Sequence, residues 1–426
     1  MPNRLSAPKA KDPIAYSLHL KPFRKFTLDN GINVFAVDAG AEDVLQLEFI
    51  FNAGNWYESQ NLVAATTNYL LKNGTSEKNA FEINEHFEYY GAYLNRSCYN
   101  ETATLSLHGL TKHLPELLPV IQELIMDSVL PESELDLYRQ NMKQKLLVNL
   151  KKCDFVANRL IDEYLYGIHH PYGKYSSTIA YDAIQADSLR EFYTQYYKHG
   201  QCSIFVGGRL PENIEPLLNQ YFGNLPLNQK PIPDIKHPVE AAGEKKYRII
   251  NDPDGIQGAI RLARPYPGIH HPDFSKVQVV NTILGGYFGS RLMRNIREDK
   301  GYTYGIYSYI QNHMHETAWM ISTEAGKDVC EASIAEAYNE MQEMRDNPVS
   351  EEELLLVKNY LIGTILGDLD GPFHILGRWK NIILNNLGED HFQESISQIK
   401  EITPKEVQEL ANKYLHPEEF YELVVV

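Results

Sequence analysis

The amino-acid sequence predicts an α+β protein built from two similar units, each a mixed or antiparallel β-sheet packed against helices. Three observations support this prediction. Landmark motifs recur at a nearly constant spacing, strand-like and helix-like segments cluster separately, and a Pro-rich join without periodicity lies between the halves. Separate clusters of strands and helices favour an α+β arrangement over a parallel sheet with alternating helices.

Three pairs of motifs form the repeat. DSVLPESELDLYRQNMKQKLL begins at Asp127 and DNPVSEEELLLVKNYLIGTIL at Asp346, an offset of 346 − 127 = 219 residues. SLREFYTQYY begins at Ser188 and TPKEVQELANKYL at Thr403, an offset of 403 − 188 = 215. A weaker pair, TNYLLKNGTS and VNTILGGYFGS, has an offset of 280 − 67 = 213. Such constant offsets indicate duplication of a unit of roughly 200 residues.

Helix starts are predicted at equivalent places in the two halves. Ser188 with Glu191, and Thr403 with Glu406, match the capping box, in which a hydroxyl residue is followed three positions later by Glu. Each of these helices is followed by a strand-like run, CSIFVGG in one half and FYELVVV in the other.

The repeat divides the chain into two predicted domains. The first covers residues 1–225 and the second residues 247–426. Residues 226–246 between them are rich in Pro, Gly and Lys and show no periodicity, which is typical of a linker.

Charge and composition exclude several classes of protein. The chain carries 40 basic and 56 acidic residues, for a net charge of −16, whereas nucleic-acid and anionic-membrane surfaces require basic patches. The four cysteines form no CxxC pair, so neither a disulfide framework nor a cysteine zinc site is expected. The start resembles no signal peptide and no run of 18 apolar residues occurs, so we expect a cytoplasmic protein without a membrane span.

Five motifs, in this order and spacing, resemble the pitrilysin and mitochondrial-processing-peptidase family of zinc metallopeptidases. They are FTLDNGINVFAVD, FNAGNWYES, NGT, HHPYG and FGSRLMRNIREDKGYTYGI, and the resemblance, with the duplication, covers essentially the whole chain. The resemblance implies the duplicated, metallohydrolase-like pitrilysin fold.

The resemblance also implies a place for a zinc site, on the helix that ends at NGT. Members of this family carry the motif HxxEH there. Its two His positions fall on Ala65 and Tyr69, and its Glu position falls on Asn68. The third family ligand is a Glu on a later helix, and the corresponding window, Leu137–Cys153, contains no acidic residue. We therefore expect no metal and no cofactor in this chain, and no peptide cleavage by the chain alone.

The second half keeps a different feature of the family. Some bacterial members work as two subunits, of which the one without zinc supplies an Arg and a Tyr separated by six residues. Arg297 and Tyr304 match that pattern. The sequence predicts Arg297 near the end of a helix, and Tyr304 on the next strand, sharing a face with Ile306. The alternative is a surface Arg that forms an ion pair with Glu298 or Glu324.

The predicted function is therefore that of a non-catalytic subunit in a heterodimeric zinc metallopeptidase. Arg297 and Tyr304 would act in trans on peptide substrates, and zinc would be held by an HxxEH-bearing partner. The alternative is a catalytically inert scaffold or peptide-binding member of the family that acts as a homodimer.

Overall fold

A computed structural model describes residues 11–426, which form two β-sheets with helices. The first half contributes six strands: β1 (Arg24–Thr27), β2 (Asn33–Asp38), β3 (Val44–Phe51), β4 (Tyr93–Cys98), β5 (Ala103–Leu110) and β6 (Cys202–Gly208). It also contributes eight helices: α1 (Val63–Leu70), α2 (Ala80–Tyr89), α3 (Leu114–Asp127), α4 (Glu132–Asn149), α5 (Cys153–Tyr166), α6 (Thr178–Ala183), α7 (Ala186–Tyr193) and α8 (Ile214–Phe222).

The second half repeats this order in shorter form. Its strands are β7 (Lys246–Ile249), β8 (Gln257–Tyr266), β9 (Thr303–Asn312), β10 (Thr317–Gly326) and β11 (Tyr421–Val425). Its α-helices are α9 (Phe274–Asn281), α10 (Cys330–Asp346), α11 (Glu351–Asp368), α12 (Pro372–Leu384), α13 (His391–Glu401) and α14 (Pro404–Tyr414). No helix of the described part of the chain has both the length and the apolar character needed to cross a membrane.

The order of strands in the two sheets confirms the predicted duplication. The first sheet runs β1-β2-β6-β3-β5-β4 and the second runs β7-β11-β8-β10-β9. Apart from β1, each position of the first sheet has an equivalent in the second, and the last strand of each half inserts at the same place. Strands β2 and β6 are parallel, whereas β3 pairs antiparallel with both β5 and β6, so the first sheet is mixed.

The helix starts at the two predicted capping boxes differ. Helix α14 begins as predicted, because the Thr403 hydroxyl accepts from the backbone N–H of Glu406 while the Glu406 carboxylate accepts from the N–H of Thr403. The prediction at Ser188 is wrong. Helix α7 already begins at Ala186, which places Ser188 inside the first turn.

Two compact units make up the described chain, and they interleave along the sequence. The first unit contains residues 21–255, 371–380 and 423–426, and the second contains residues 11–20, 256–370 and 381–422. The sequence predicted consecutive domains, 1–225 and 247–426, joined by residues 226–246. That division does not include the short segments, 11–20, 371–380 and 423–426, that each unit takes from the other half of the chain.

Part of α12 belongs to the first unit because its side chains form hydrogen bonds with residues of that unit, one of which lies on strand β3. The Lys380 ammonium donates to the buried Glu48 carboxylate at 2.7 Å, and the Trp379 indole N–H donates to the carbonyl oxygen of Lys21 at 2.7 Å. Glu48 also accepts from the Ser106 hydroxyl and from the Gln46 side-chain amide, so its buried charge has three partners.

The residues between α8 and β7 form neither helix nor strand, as expected for a linker, but they are fixed to the first unit. The Trp56 indole N–H donates to the carbonyl oxygen of Ile235, and His237 Nε2 lies 2.9 Å from the carbonyl oxygen of Trp56. The backbone N–H of Ala242 donates to the carbonyl oxygen of Tyr164. Hydrogen bonds to side chains and backbone therefore hold this segment in place.

Candidate functional site

Helix α1, which occupies the place that the sequence assigns to a zinc helix, is anchored at its start by a buried carboxylate. Glu58 accepts hydrogen bonds from the backbone N–H groups of Leu62 (3.2 Å) and Ala64 (2.9 Å). Its charge is paired with the Lys174 ammonium at 2.7 Å. A carboxylate at this position satisfies N–H groups that the helix leaves unpaired and favours its positive end.

The three predicted zinc-motif positions lie in different environments on α1. Ala65 is half-buried. Asn68 is buried, and its side-chain amide donates to the hydroxyl of Tyr197 at 3.1 Å. Tyr197 is fully buried, which raises the pKa of its phenol well above the ordinary value, so both partners of this hydrogen bond are neutral. Tyr69 is 37% exposed and points out of the core.

Tyr69 stacks with residues from two other elements. Its ring centroid lies 4.6 Å from that of Tyr138 on α4, the helix that covers most of the window for the third family ligand. The Arg96 guanidinium, on β4, lies 4.4 Å from the centre of the Tyr69 ring. Two phenols and a guanidinium thus meet beside α1, a geometry that favours a cation–π contact.

This arrangement does not fit a zinc ion. Zinc requires thiolate, imidazole or carboxylate ligands, and Ala65, Asn68 and Tyr69 supply none. Among residues 11–426, no group of three or more His, Cys, Asp or Glu side chains is arranged to hold a metal ion. No catalytic step in this chain can therefore be derived through a metal at α1.

The second predicted site begins on a helical turn that follows α9. Residues Met293–Asp299 form a π-helical turn, and Leu292, Met293 and Ile296 are buried. The turn ends at Gly301, whose φ of +66° lies in the left-handed region that glycine adopts at helix ends. This buried face fixes the turn and leaves Arg297 on the opposite side.

Arg297 is held by three neighbours. Its Nε–H donates to the backbone carbonyl oxygen of Tyr304 at 3.0 Å, and its guanidinium lies 4.6 Å from the centre of the Phe288 ring. The nearest carboxylate is that of Glu298, 3.7 Å from the Arg297 Nη1, and both side chains are partly exposed. An exposed pair at that distance contributes about 0–1 kcal/mol. The two terminal amino groups of Arg297 thus keep donors that can reach a ligand.

Tyr304 projects into solvent because of an irregularity in β9. Thr323 of β10 lies opposite Ile306, but Ala325 lies opposite Thr303, so β9 holds one extra residue over this stretch. Such a bulge shifts the alternation of side chains. Ile306 is therefore buried while Tyr304 is 95% exposed, and the prediction that they share a face is wrong.

Arg297 and Tyr304 line the same groove of the second unit. Its volume is about 830 Å³, and β9 forms one edge of the sheet beside it. The Tyr304 hydroxyl makes no hydrogen bond within the described residues. The groove is lined by Gln257, Arg297, Glu298, Gly301, Tyr302, Thr303, Tyr304, Glu324, Ala325 and Gly326.

Sequence reasoning missed two contributors to this groove. Phe288, which supports the Arg297 guanidinium, is the first residue of the FGSRLMRNIREDKGYTYGI motif, but its contact with Arg297 was not predicted. The bulge did carry a signal, since Gly305 interrupts a run of strand-forming residues, and a glycine inside a strand often marks a bulge.

Comparison with known proteins shows what the chain is similar to. Residues 183–361 match the family model described as the peptidase M16 inactive domain. A Bacillus subtilis (strain 168) protein, the uncharacterized zinc protease YmxG, is 23% identical over 399 residues, covering 92% of this chain and 95% of its own. The Bos taurus mitochondrial-processing peptidase subunit beta is 22% identical over 435 residues, covering 97% of this chain and 86% of its own. Residues 183–361 are thus similar to the peptidase M16 inactive domain, and the chain resembles the two relatives over nearly its full length.

A solved structure supports the M16 fold over nearly the full length. The crystal structure of a peptidase M16 inactive domain from Pseudomonas fluorescens superposes with a TM-score of 0.85 at 24% identity, covering 95% of this chain and 98% of that one. At that identity the likeness concerns the fold. The predicted fold class and the predicted resemblance are confirmed.

Proposed function

We propose that this M16 chain is the non-catalytic subunit of a two-chain zinc peptidase, in which Arg297 and Tyr304 bind the peptide that the partner cleaves. The observation that carries the proposal is the pairing of a supported guanidinium with an exposed phenol in one groove. Both are hydrogen-bond donors toward a carbonyl oxygen. The names of two relatives, one an M16 inactive domain and the other a subunit of a processing peptidase, support this role.

The contact between Arg297 and the backbone of Tyr304 gives the pair its defined geometry. Because the Nε–H group donates to the Tyr304 carbonyl oxygen, the terminal amino groups of Arg297 remain available as donors in the groove that Tyr304 also lines. Donors that are fixed before the substrate arrives stabilise charge on a reacting carbonyl without reorganisation. Helix α1 offers no zinc ligands in this chain, so the metal and the water-activating carboxylate would come from an HxxEH-bearing M16 partner.

The test is reconstitution with the HxxEH-bearing homologue of the same organism. We expect the two chains to co-purify and to cleave peptides together, with little activity from either chain alone. Arg297→Lys keeps the charge but loses the planar fork, so it should reduce turnover of the pair while leaving co-purification intact. A partner that is fully active without this chain would contradict the proposal.

A second candidate is an inert scaffold or peptide-binding homodimer. It is favoured by the same match to an inactive domain, which by itself requires no chemistry. In that case the chain would form a homodimer, the added homologue would not bind, and the variants at the groove would leave every peptidase activity unchanged.

A further inference from the structure

The guanidinium of Arg96 is a largely enclosed cation without a partner carboxylate. It stacks on Tyr69, and its Nε is buried without a hydrogen-bond acceptor. No carboxylate within residues 11–426 lies at ion-pair distance from it. A buried charge is normally paired, because desolvation without compensation costs several kcal/mol.

A second cation lies close to the first. The Lys72 ammonium, just after α1, donates to the carbonyl oxygen of Leu94 on β4 at 3.0 Å. Burial lowers the pKa of Arg96, and burial together with the nearby Arg96 charge lowers the pKa of Lys72, which Glu88 offsets only in part. The two like charges repel each other, and an anion placed between them would relieve that repulsion.

Aromatic side chains surround Arg96 and leave it accessible. Tyr69 and Tyr138 form one wall, and Tyr93, which is 63% exposed, lies on β4 beside Arg96. Strand β4 is the edge of its sheet. A ligand can therefore approach from solvent, stack against the phenol rings and accept hydrogen bonds from the guanidinium.

We infer that Tyr69, Arg96 and Tyr138 form a binding site for a carboxylate, with Arg96 as the cation that receives it. A planar guanidinium presents two parallel N–H donors that match the two oxygens of a carboxylate. The Lys72 ammonium already donates to the carbonyl oxygen of Leu94, so the Arg96 guanidinium is the cation that remains for a ligand. A single guanidinium suits a singly charged carboxylate better than a doubly charged phosphate. The carboxylate can be the C-terminus of a peptide or an acidic side chain. This inference is independent of the proposed role of Arg297 and Tyr304.

The experiment uses the full chain and isothermal titration calorimetry at low salt. The probes are a short N-acetylated peptide of alanine and serine with a free C-terminal carboxylate, the same peptide as an amide, and the amide carrying one internal glutamate. We expect the neutral amide to bind at least about tenfold more weakly than one of the two charged peptides, which corresponds to about 1.4 kcal/mol. The charged peptide that binds identifies the source of the carboxylate.

Variants locate the site. Arg96→Gln should reduce affinity for the preferred peptide by at least about tenfold, the loss expected for a charge-assisted hydrogen-bonding fork. Arg209→Gln is the matched control, because Arg209 is an exposed arginine of the same unit paired with Asp43 at 3.0 Å. Equal binding of all three peptides, no binding of any probe, full affinity in Arg96→Gln, or stronger competition by inorganic phosphate than by acetate would each overturn the inference. The wild-type comparison of probes decides the question even if Arg96→Gln does not fold.

Discussion

Replacement of Asn68 by Asp tests whether α1 is a packed structural helix rather than an open ligand-bearing one. Asn68 is 3% exposed and its amide donates to Tyr197 Oη at 3.1 Å. Asp has nearly the same shape, so the change adds a charge and little volume. Tyr197 can turn its hydroxyl to donate to the new carboxylate, but no second donor to Asn68 is present among the described residues.

The magnitude follows from burial. Burial raises the pKa of a carboxyl group by up to about 3–5 units, and a hydrogen bond from the Tyr197 phenol offsets part of this rise. For the carboxyl group of the Asn68→Asp variant we therefore take a pKa about 2 units above the ordinary value of roughly 3.9. Because the pKa is raised in the folded state, the variant matches wild type most closely below about pH 4. It loses stability as the pH rises to about 6. The loss above that pH is about 2.7 kcal/mol.

The assay is the Tm of Asn68→Asp and of wild type at pH 4 and at pH 7.5. We expect the difference in Tm to be small at pH 4 and roughly 5 °C or more at pH 7.5. Asn95→Asp, at an exposed position of β4, is the matched control and should change Tm little at either pH. An Asn68→Asp variant as stable as wild type at pH 7.5 would refute the buried, neutral environment assigned to this face of α1.

Three further predictions concern metal, the linker and a helix cap. Elemental analysis of the purified chain should find no stoichiometric zinc at α1; one tightly bound zinc per chain that is lost on mutation of α1 would contradict this. Proteolytic cutting within residues 229–244 should give two large fragments that co-elute under native conditions, because residues 371–380 pack in the first unit; separate elution or many small fragments would count against the interleaved units. Thr403→Ala should cost about 1 kcal/mol, read as a lower Tm, since it removes the hydroxyl that caps α14 while Glu406 keeps its bond to the Thr403 N–H; an unchanged Tm would contradict the cap.

The duplicated architecture could be predicted from the sequence because it rests on spacing. Offsets near 215 residues correspond to equivalent positions in two sheets with matching strand order. The cap at Thr403 was also predictable, since its Glu406 partner is three residues away. At Ser188 the same local signal failed, because α7 begins two residues earlier and a motif alone does not fix where a helix starts.

The sequence identified the residues of the Arg297 and Tyr304 pair, but it did not predict the surroundings of their side chains. The separation of Arg297 and Tyr304 along the chain indicated a pair. The face on which Tyr304 lies depends on the bulge opposite Glu324, and a prediction that assumes regular alternation of side chains along β9 does not include that bulge. Arg96 gave no signal in the sequence, because its contact with Tyr69 joins a strand and a helix that are distant along the chain. That contact exists because the fold places β4 beside α1.

The turnover of the reconstituted pair carrying Tyr304→Phe tests the central claim most directly. This change removes one hydroxyl from a side chain that is 95% exposed, so folding and co-purification should be unaffected. Loss of one donor to a reacting carbonyl typically reduces turnover roughly 10²- to 10³-fold, about 3–4 kcal/mol of barrier. Tyr307→Phe, on the same strand and 54% exposed, is the matched control and should retain wild-type turnover. Wild-type turnover in Tyr304→Phe would contradict a catalytic role in trans and favour the inert scaffold.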